Sequence, residues 1–372
     1  MKRLLGPLLT LVLAVGVGFA IYISLQDQRV VVVSGLIGSE KEAFFLDERV
    51  VERLRREHGL EVDFEKVGSR RIAIEGGVNG TVDNYDFAFP AGIPAAEKIR
   101  RDFDVLGSYR VFFTPMTIAS WGDVVDVLEA NNIVQQRNGY YGIVDMRGLI
   151  WLMQDDIRWE DLPDSDSFDV GRKVLVKSTN ILSSNSAAMY LALASYILNE
   201  DRVVQDDQQI REVLPAVEKL FLDQGFLPGS SATPFEDYLI KGIGNSPLVM
   251  MYESQFLYQA SLSDGSIRPD MVLLYPEPTI YTQHVLTAMS EAGERLGEAL
   301  TTDPELQKLA IENGYRSNDP TFSSDFQAFI RSNDLANVPD SLNEVIDPPT
   351  YEIIERMIER IEQTLVGVVS TP

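Results

Sequence analysis

Val30-Val31-Val32-Val33-Ser34-Gly35-Leu36-Ile37-Gly38-Ser39 reads as a buried strand running into a small polar loop. A β-branched run without polar alternation marks a strand covered on both faces, the pattern of a parallel sheet. Ala43, Leu46, Val50 and Leu54 follow at helical spacing, and Gly59 ends the helix they predict. A second strand near 60–67, the loop Gly68-Ser69-Arg70-Arg71 and the short strand Tyr85-Asp86-Phe87-Ala88-Phe89, stopped by Pro90, complete a βαβ series. The fold class that follows is α/β.

Downstream of Phe112 and Phe113 a second unit begins. It holds a strand over 173–177, a loop over 178–184, an apolar helix from Asn185 to about Leu198, helices near 210–222 and 234–241, and a strand Leu248 to Tyr252 that brings the chain back. Met271 to Tyr275 predicts another buried strand, and Leu286, Met289, Ala292, Leu296 and Leu300 predict the helix behind it. Asp303 as N-cap, Pro304 at the first position and Gly314 past the end punctuate a late helix. A terminal amphipathic helix carries Ile354, Met357, Ile361 and Leu365 and is expected to dock on the body.

Upstream, Lys2 and Arg3 precede an uncharged, mostly apolar run from Leu4 to Gln26. About 20 apolar residues cross a bilayer as a helix, and leading basic residues keep the N-terminus cytoplasmic. The expectation is a single-pass anchor with the bulk outside the cell. A cleaved signal peptide is the competing reading, but its small-residue pattern Gly18-Phe19-Ala20 lies inside the apolar run. The chain has no cysteine, so neither a lipid anchor on a thiol nor a disulfide framework is available to it.

Acidic residues number 56 against 32 basic ones, a formal net charge of −24. Such a surface repels nucleic acid phosphates and anionic headgroups, which excludes nucleic acid as a partner. The roughly 340 residues after the anchor exceed what one hydrophobic core usually serves, so two units are expected.

In element order the chain resembles bacterial extracellular solute-binding proteins of the type II periplasmic-binding class, on the branch that includes molybdate-binding proteins. Ser34-Gly35-Leu36-Ile37-Gly38-Ser39, Tyr85-Asp86-Phe87-Ala88, Thr114-Pro115-Met116-Thr117-Ile118-Ala119-Ser120, Ser183-Ser184-Asn185-Ser186-Ala187-Ala188 and Pro247-Leu248-Val249-Met250-Met251-Tyr252-Glu253 carry the resemblance, with Asp303-Pro304-Glu305-Leu306-Gln307 and Gly314-Tyr315 near its end. The resemblance covers roughly residues 30 to 317 and implies two α/β lobes joined by two crossovers, with a solute held between them. Its expected partition is an anchor and linker over 1–28, lobe 1 over 29–115 plus 254–317, lobe 2 over 116–253, and a C-terminal extension over 318–372. The anchor and the extension depart from the family pattern and weigh against diffusible delivery to a transporter.

Three strand-to-helix junctions are candidate ligand contacts: Gly38-Ser39, Ser69-Arg70 and Ser184-Asn185-Ser186. Unpaired N–H groups at a helix start, with the helix dipole behind them, bind ligand oxygens without a charged side chain. Tyr252 and Glu253 are further candidates where the second crossover leaves its strand. Each has a purely structural alternative: capping for Ser39, solvation for Arg70, packing for Tyr252, exposure for Glu253. An unpaired Glu253 carboxylate would repel a dianion, which leaves the ligand's charge open between polar and anionic solutes, oxyanions included.

Enzyme signatures fail. His58 and His284 are the only histidines and are assigned surface or capping roles, leaving no basis for a histidine-rich metal site. Asp164 to Asp169 begins like a calcium loop but places Phe168 at a ligand position. Gly242 to Pro247 imitates a dinucleotide fingerprint yet precedes a strand. No cofactor, metal or catalytic residue is assigned. The function expected is capture of a small solute by hinge closure, read by a membrane transporter or sensor. A ligand-free scaffold built on the same fold is the alternative, and a hydrolase a distant third.

Overall fold

The computed structural model describes residues 30–369 except 79, 226–228, 230, 231 and 336, and gives only the backbone of 366–369. The expected anchor over 1–28 lies outside the described residues; among those described, no helix is long and apolar enough to cross a membrane.

Strand β1 (Val31–Ile37) pairs in parallel with β2 (Leu60–Lys66) and β3 (Phe87–Phe89). It continues past Ser34 because Gly35, Leu36 and Ile37 are the residues that β3 pairs with. Gly35 is held there by close approach: a Cβ would lie 2.2 Å from the Phe87 ring. Val33 and Ile37 enter the core on one face of the sheet and Leu36 a separate core on the other, the alternation a two-sided strand requires.

The single helix expected after β1 is broken. A 3-10 turn over Ser39–Lys41 leads into α1 (Glu42–Leu46), and Asp47 then adopts extended backbone and accepts from Arg49 N to cap α2 (Glu48–Arg53). A π turn follows, and Gly59 closes it at φ 62°. Helices α3 (Ser69–Glu75) and α4 (Ile93–Asp102) complete the first unit's leading half.

Strand β4 (Gly107–Trp121) is shared by two sheets. Its residues 107–115 pair antiparallel with β9 (Thr279–Ala288); Met116 to Ala119 pair with β7 (Val249–Tyr252), and Ile118 to Trp121 with β8 (Met271–Pro276). The first sheet is thus β2-β1-β3-β9-β4, and β8 continues the second through β6 (Tyr140–Ile143) to β5 (Val134–Arg137). β8 joins the second sheet, and the chain returns to the first sheet through β9. β7 and β8, consecutive buried strands, both pair with β4, and hydrophobic pattern alone does not say which sheet a buried strand joins.

The second unit adds α5 (Gly122–Ala130), α6 (Met146–Gln154), α7 (Asn185–Leu198), α8 (Asp207–Leu222), α9 (Ala232–Lys241) and α10 (Glu253–Ser261). Residues 173–177 make isolated bridges, Arg158 with Lys173 and Lys177 with Val249, where a strand was expected. Leu286 lies on β9; the helix behind it, α11 (Glu291–Thr302), starts later, with Ser290 as its cap. In α12 (Pro304–Glu312), Asp303 accepts from Glu305 N and Leu306 N, as its punctuation predicts.

Beyond β10 (Arg316–Ser317) and α13 (Ser323–Ser332), β11 (Val345–Ile346) adds to the edge of β9. Helix α14 (Tyr351–Val369) then buries Ile354, Met357 and Ile361 in the second unit's core.

Candidate functional site

Side chains from both units and from β9 meet in a buried polar cluster. Lys41, wholly buried, donates to the Glu40 carboxylate and sits 3.1 Å from His284 Nδ1. An ammonium only donates, so Nδ1 accepts and the imidazole proton resides on Nε2, which has no hydrogen-bond partner among the described residues. Burial, reinforced by Lys41, pushes the His284 imidazole well below its ordinary range, and the ring is neutral. Burial also lowers Lys41, against the opposing pull of Glu40.

Gly38 makes room for this pair. Its backbone is ordinary extended chain, but a Cβ there would lie 2.4 Å from Glu40 Oε1 and 2.5 Å from Oε2. The carboxylate is therefore folded flat over Gly38, at the strand-to-helix junction where the sequence predicts ligand oxygens. Tyr315 donates to the Glu40 carbonyl at 2.7 Å, and the phenols of Tyr252 and Tyr315 are raised by burial and then by the Glu40 charge. Both remain neutral.

Asn185 Nδ2 donates to Tyr252 Oη at 3.1 Å, and Gly92 of the first unit packs against Asn185 so closely that a Cβ would be 2.5 Å from its Oδ1. Ser186 Oγ is 2.8 Å from Thr179 Oγ1 and 2.9 Å from Ser184 Oγ, a closed hydroxyl chain at the start of α7. Ser69 Oγ accepts from Ala91 N at 2.8 Å. Arg70 does not face solvent: Nε and Nη2 bind the two Glu355 oxygens at 2.8 and 2.6 Å, and Nη1 donates to the Leu182 carbonyl of the second unit.

Glu253 is fully buried and paired. Arg316 Nε and Nη2 donate to its two oxygens at 2.7 and 2.8 Å, and Tyr275 Oη donates at 2.7 Å. Burial opposes the Arg316 charge, but Glu253 outweighs it and holds the guanidinium above its usual range. The expected repulsion of a dianion by an unpaired Glu253 therefore falls away, because both oxygens are engaged.

Of the three predicted helix starts, only that at Ser184-Asn185-Ser186 fronts a full-length helix; Gly38-Ser39 opens a 3-10 turn and Ser69 a helix of seven residues. A cavity of about 210 Å³ opens beside the cluster, lined among others by Ser39, Glu40, Phe235, Ser254, Tyr258 and Tyr315. The larger hollow of about 1000 Å³ near Leu46, Arg56 and Arg295 contains none of the predicted residues.

Sequence reasoning missed Glu40, Lys41, His284 and Tyr315. His284 is not a surface residue near a helix start but a buried one on β9, where Ile280, Thr282, His284 and Leu286 alternate inward. That period of two was the available signal. His58 does pair near the surface, with Nε2 2.7 Å from Asp303.

At the level of sequence, no protein-family model and no curated protein matches the chain. Its structure resembles the sulfate-binding protein SubI from Mycobacterium tuberculosis H37Rv, at a TM-score of 0.51 and 16% identity over 84% of this chain and 93% of that one. It also resembles a protein described as an extracellular solute-binding protein from Bordetella parapertussis, at 0.55 and 10% over 90% and 98% of the two chains. A third likeness is the periplasmic binding protein AfuA from Actinobacillus pleuropneumoniae with bound fructose-6-phosphate, at 0.53 and 11% over 88% and 96%. The chain therefore has the mixed α/β fold of periplasmic and extracellular solute-binding proteins.

Proposed function

We propose that this chain is a membrane-anchored, extracytoplasmic solute-binding protein that captures a small anionic or polar ligand between its two units and signals occupancy to a membrane transporter or sensor. One observation carries the reading: a fully buried lysine stands where both units meet, in a chain of net charge −24. A buried cation is retained only with a counter-ion. Here the counter-ion is the neighbouring Glu40, and a ligand carboxylate or oxyanion would take its place on Lys41 as Glu40 swings toward the adjoining cavity. His284 Nε2–H and the Tyr252 and Tyr315 hydroxyls would then supply neutral donors. Ser39 lines that cavity, and Ser69, Asn185 and Ser186, now bonded within the protein, would have to exchange those partners to reach a ligand, while Arg70 and Glu253 hold the units together. Closure is favoured only by a ligand that interacts differently with the open and closed forms.

The scaffold alternative is favoured by the same pair: Lys41 and Tyr252 already have internal partners. Detergent-extracted full-length protein separates the two. The solute-binding reading expects sulfate, molybdate, or a small carboxylate or sugar phosphate to raise the melting temperature of the wild type, and Lys41→Met to abolish the rise. A panel of these solutes, amino acids and sugars that changes neither melting temperature nor scattering radius would sink it. Native mass spectrometry of the same sample would identify any co-purifying molecule, and its intact mass would show whether residues 1–28 are retained.

A further inference from the structure

The C-terminal helix is held to the two units by different forces. Toward the second unit α14 buries Ile353, Ile354, Met357, Ile358 and Ile361 in the core against α7 and α8, and it adds Arg356 to Asp207 at 2.9 Å and Thr364 to Glu218 at 3.0 Å. Toward the first unit it makes polar ties. Glu355 grips Arg70 of α3 through both oxygens, Glu352 pairs with the exposed Arg101 of α4, and the Lys98 ammonium lies 5.5 Å from the Tyr351 ring centroid. The Arg70 guanidinium joins all three parties, since it also donates to the Leu182 carbonyl of the second unit.

From this asymmetry we propose that α14 is an ionic latch: an element anchored permanently in the second unit that holds the first unit shut through Arg70. Apolar burial changes little with salt, whereas an exposed ion pair such as Glu352 with Arg101 weakens as the screening length shrinks from about 8 Å at 0.15 M to about 3 Å at 1 M salt, and the mostly buried Glu355 and Arg70 pair is screened less. Opening therefore separates α14 from α3 and α4 and leaves its packing on α7 and α8 intact. Glu355 and Arg70 set how readily the jaws part, and with it how fast a captured solute leaves. β11 on the edge of β9 keeps the tail in register while this happens. The proposal rests on the two-jawed reading above, but it concerns closure and not the ligand.

The absence of native cysteine gives a direct test on the full chain. Spin labels at Glu61→Cys on β2 and Gln135→Cys on β5, both exposed, report the separation of the units by pulsed electron resonance without any ligand. A single short distance is expected for the parent. Glu355→Gln is expected to add a longer one, 1 M sodium chloride to add it to the parent in smaller proportion, and Arg356→Gln, which removes only the tie to Asp207 of the second unit, to leave the distance unchanged. Helical circular dichroism is expected to stay constant throughout. An unchanged distance with both Glu355→Gln and salt, equal opening by Arg356→Gln, or opening accompanied by loss of helix signal would each overturn the latch. Because no solute is present, these outcomes are independent of whether any tested ligand binds.

Discussion

Glu253 and Arg316 form a two-bonded ion pair, at 2.7 and 2.8 Å, sealed between β7, β10 and the tail. Arg316 also donates to the carbonyls of Pro339 and Asp340 and lies 4.2 Å from the Phe326 ring centroid. A position the sequence offered as a ligand contact thus ties the tail to the crossover.

Removing one member of such a buried pair strands the other. Glu253→Gln is expected to cost about 3–5 kcal/mol of unfolding free energy. Urea titration of the variant against the parent measures it, and a loss under 1 kcal/mol would contradict the pairing.

The Glu40 and Lys41 pair obeys the same logic with a different remedy. Glu40→Gln alone is expected to destabilise by about 3–5 kcal/mol, and Glu40→Gln with Lys41→Met to recover most of it, since an apolar replacement of a whole buried pair is often neutral. Denaturant midpoints of the two variants decide this.

Gly68 and Gly38 are both crowded but predict opposite results. A Cβ on Gly68 would lie 2.4 Å from the Ser183 carbonyl oxygen, a backbone atom of the facing unit, whereas at Gly38 the clash is with the end of the flexible Glu40 side chain. Gly68→Ala is therefore expected to cost about 1–3 kcal/mol and to enlarge the scattering radius. Gly38→Ala is expected to leave the radius unchanged.

His284 gives the fold a pH dependence. Its folded pKa lies well below the ordinary 6.5, so the unfolded chain binds the proton first as pH falls. The stabilisation from the neutral buried ring is complete above about pH 6.5 and declines by about 1.4 kcal/mol per pH unit below it, until the folded pKa is reached. Lys41, Tyr252 and Tyr315 pack around the ring, with the Glu40 carboxylate 3.6 Å from Nδ1. His284→Gln is expected to flatten that part of the stability profile, read from urea midpoints at pH 5, 6 and 7.

The architecture was legible wherever local pattern and tertiary context agree. The strand at Val31, the helix at Asn185 and the cap at Asp303 announce themselves through β-branched runs, apolar periodicity and capping chemistry. The sheet that β8 joins was not, because Met271 to Pro276 is as apolar as a strand of either sheet would be. The polar cluster was hidden for a different reason: Glu40-Lys41-Glu42 looks like a solvated helix start, and only the folding of β9 over Phe89 and Phe112 buries its middle residue. Ser184, Asn185, Ser186 and Tyr252 do come together, by Asn185 bonding Tyr252 and Ser186 bonding its neighbours. Arg70 and Glu253 turned out to be occupied by Glu355 and Arg316, residues far along the chain that no local spacing could pair with them.

β4 changes partner between Pro115, opposite Tyr281, and Met116, opposite Tyr252, without interrupting its own backbone. A single ribbon thereby serves as the last long strand of one sheet and an inner strand of the other. Neither half of the molecule can melt without unzipping a strand on which the other depends, so the two cores share one fate even though each is packed separately.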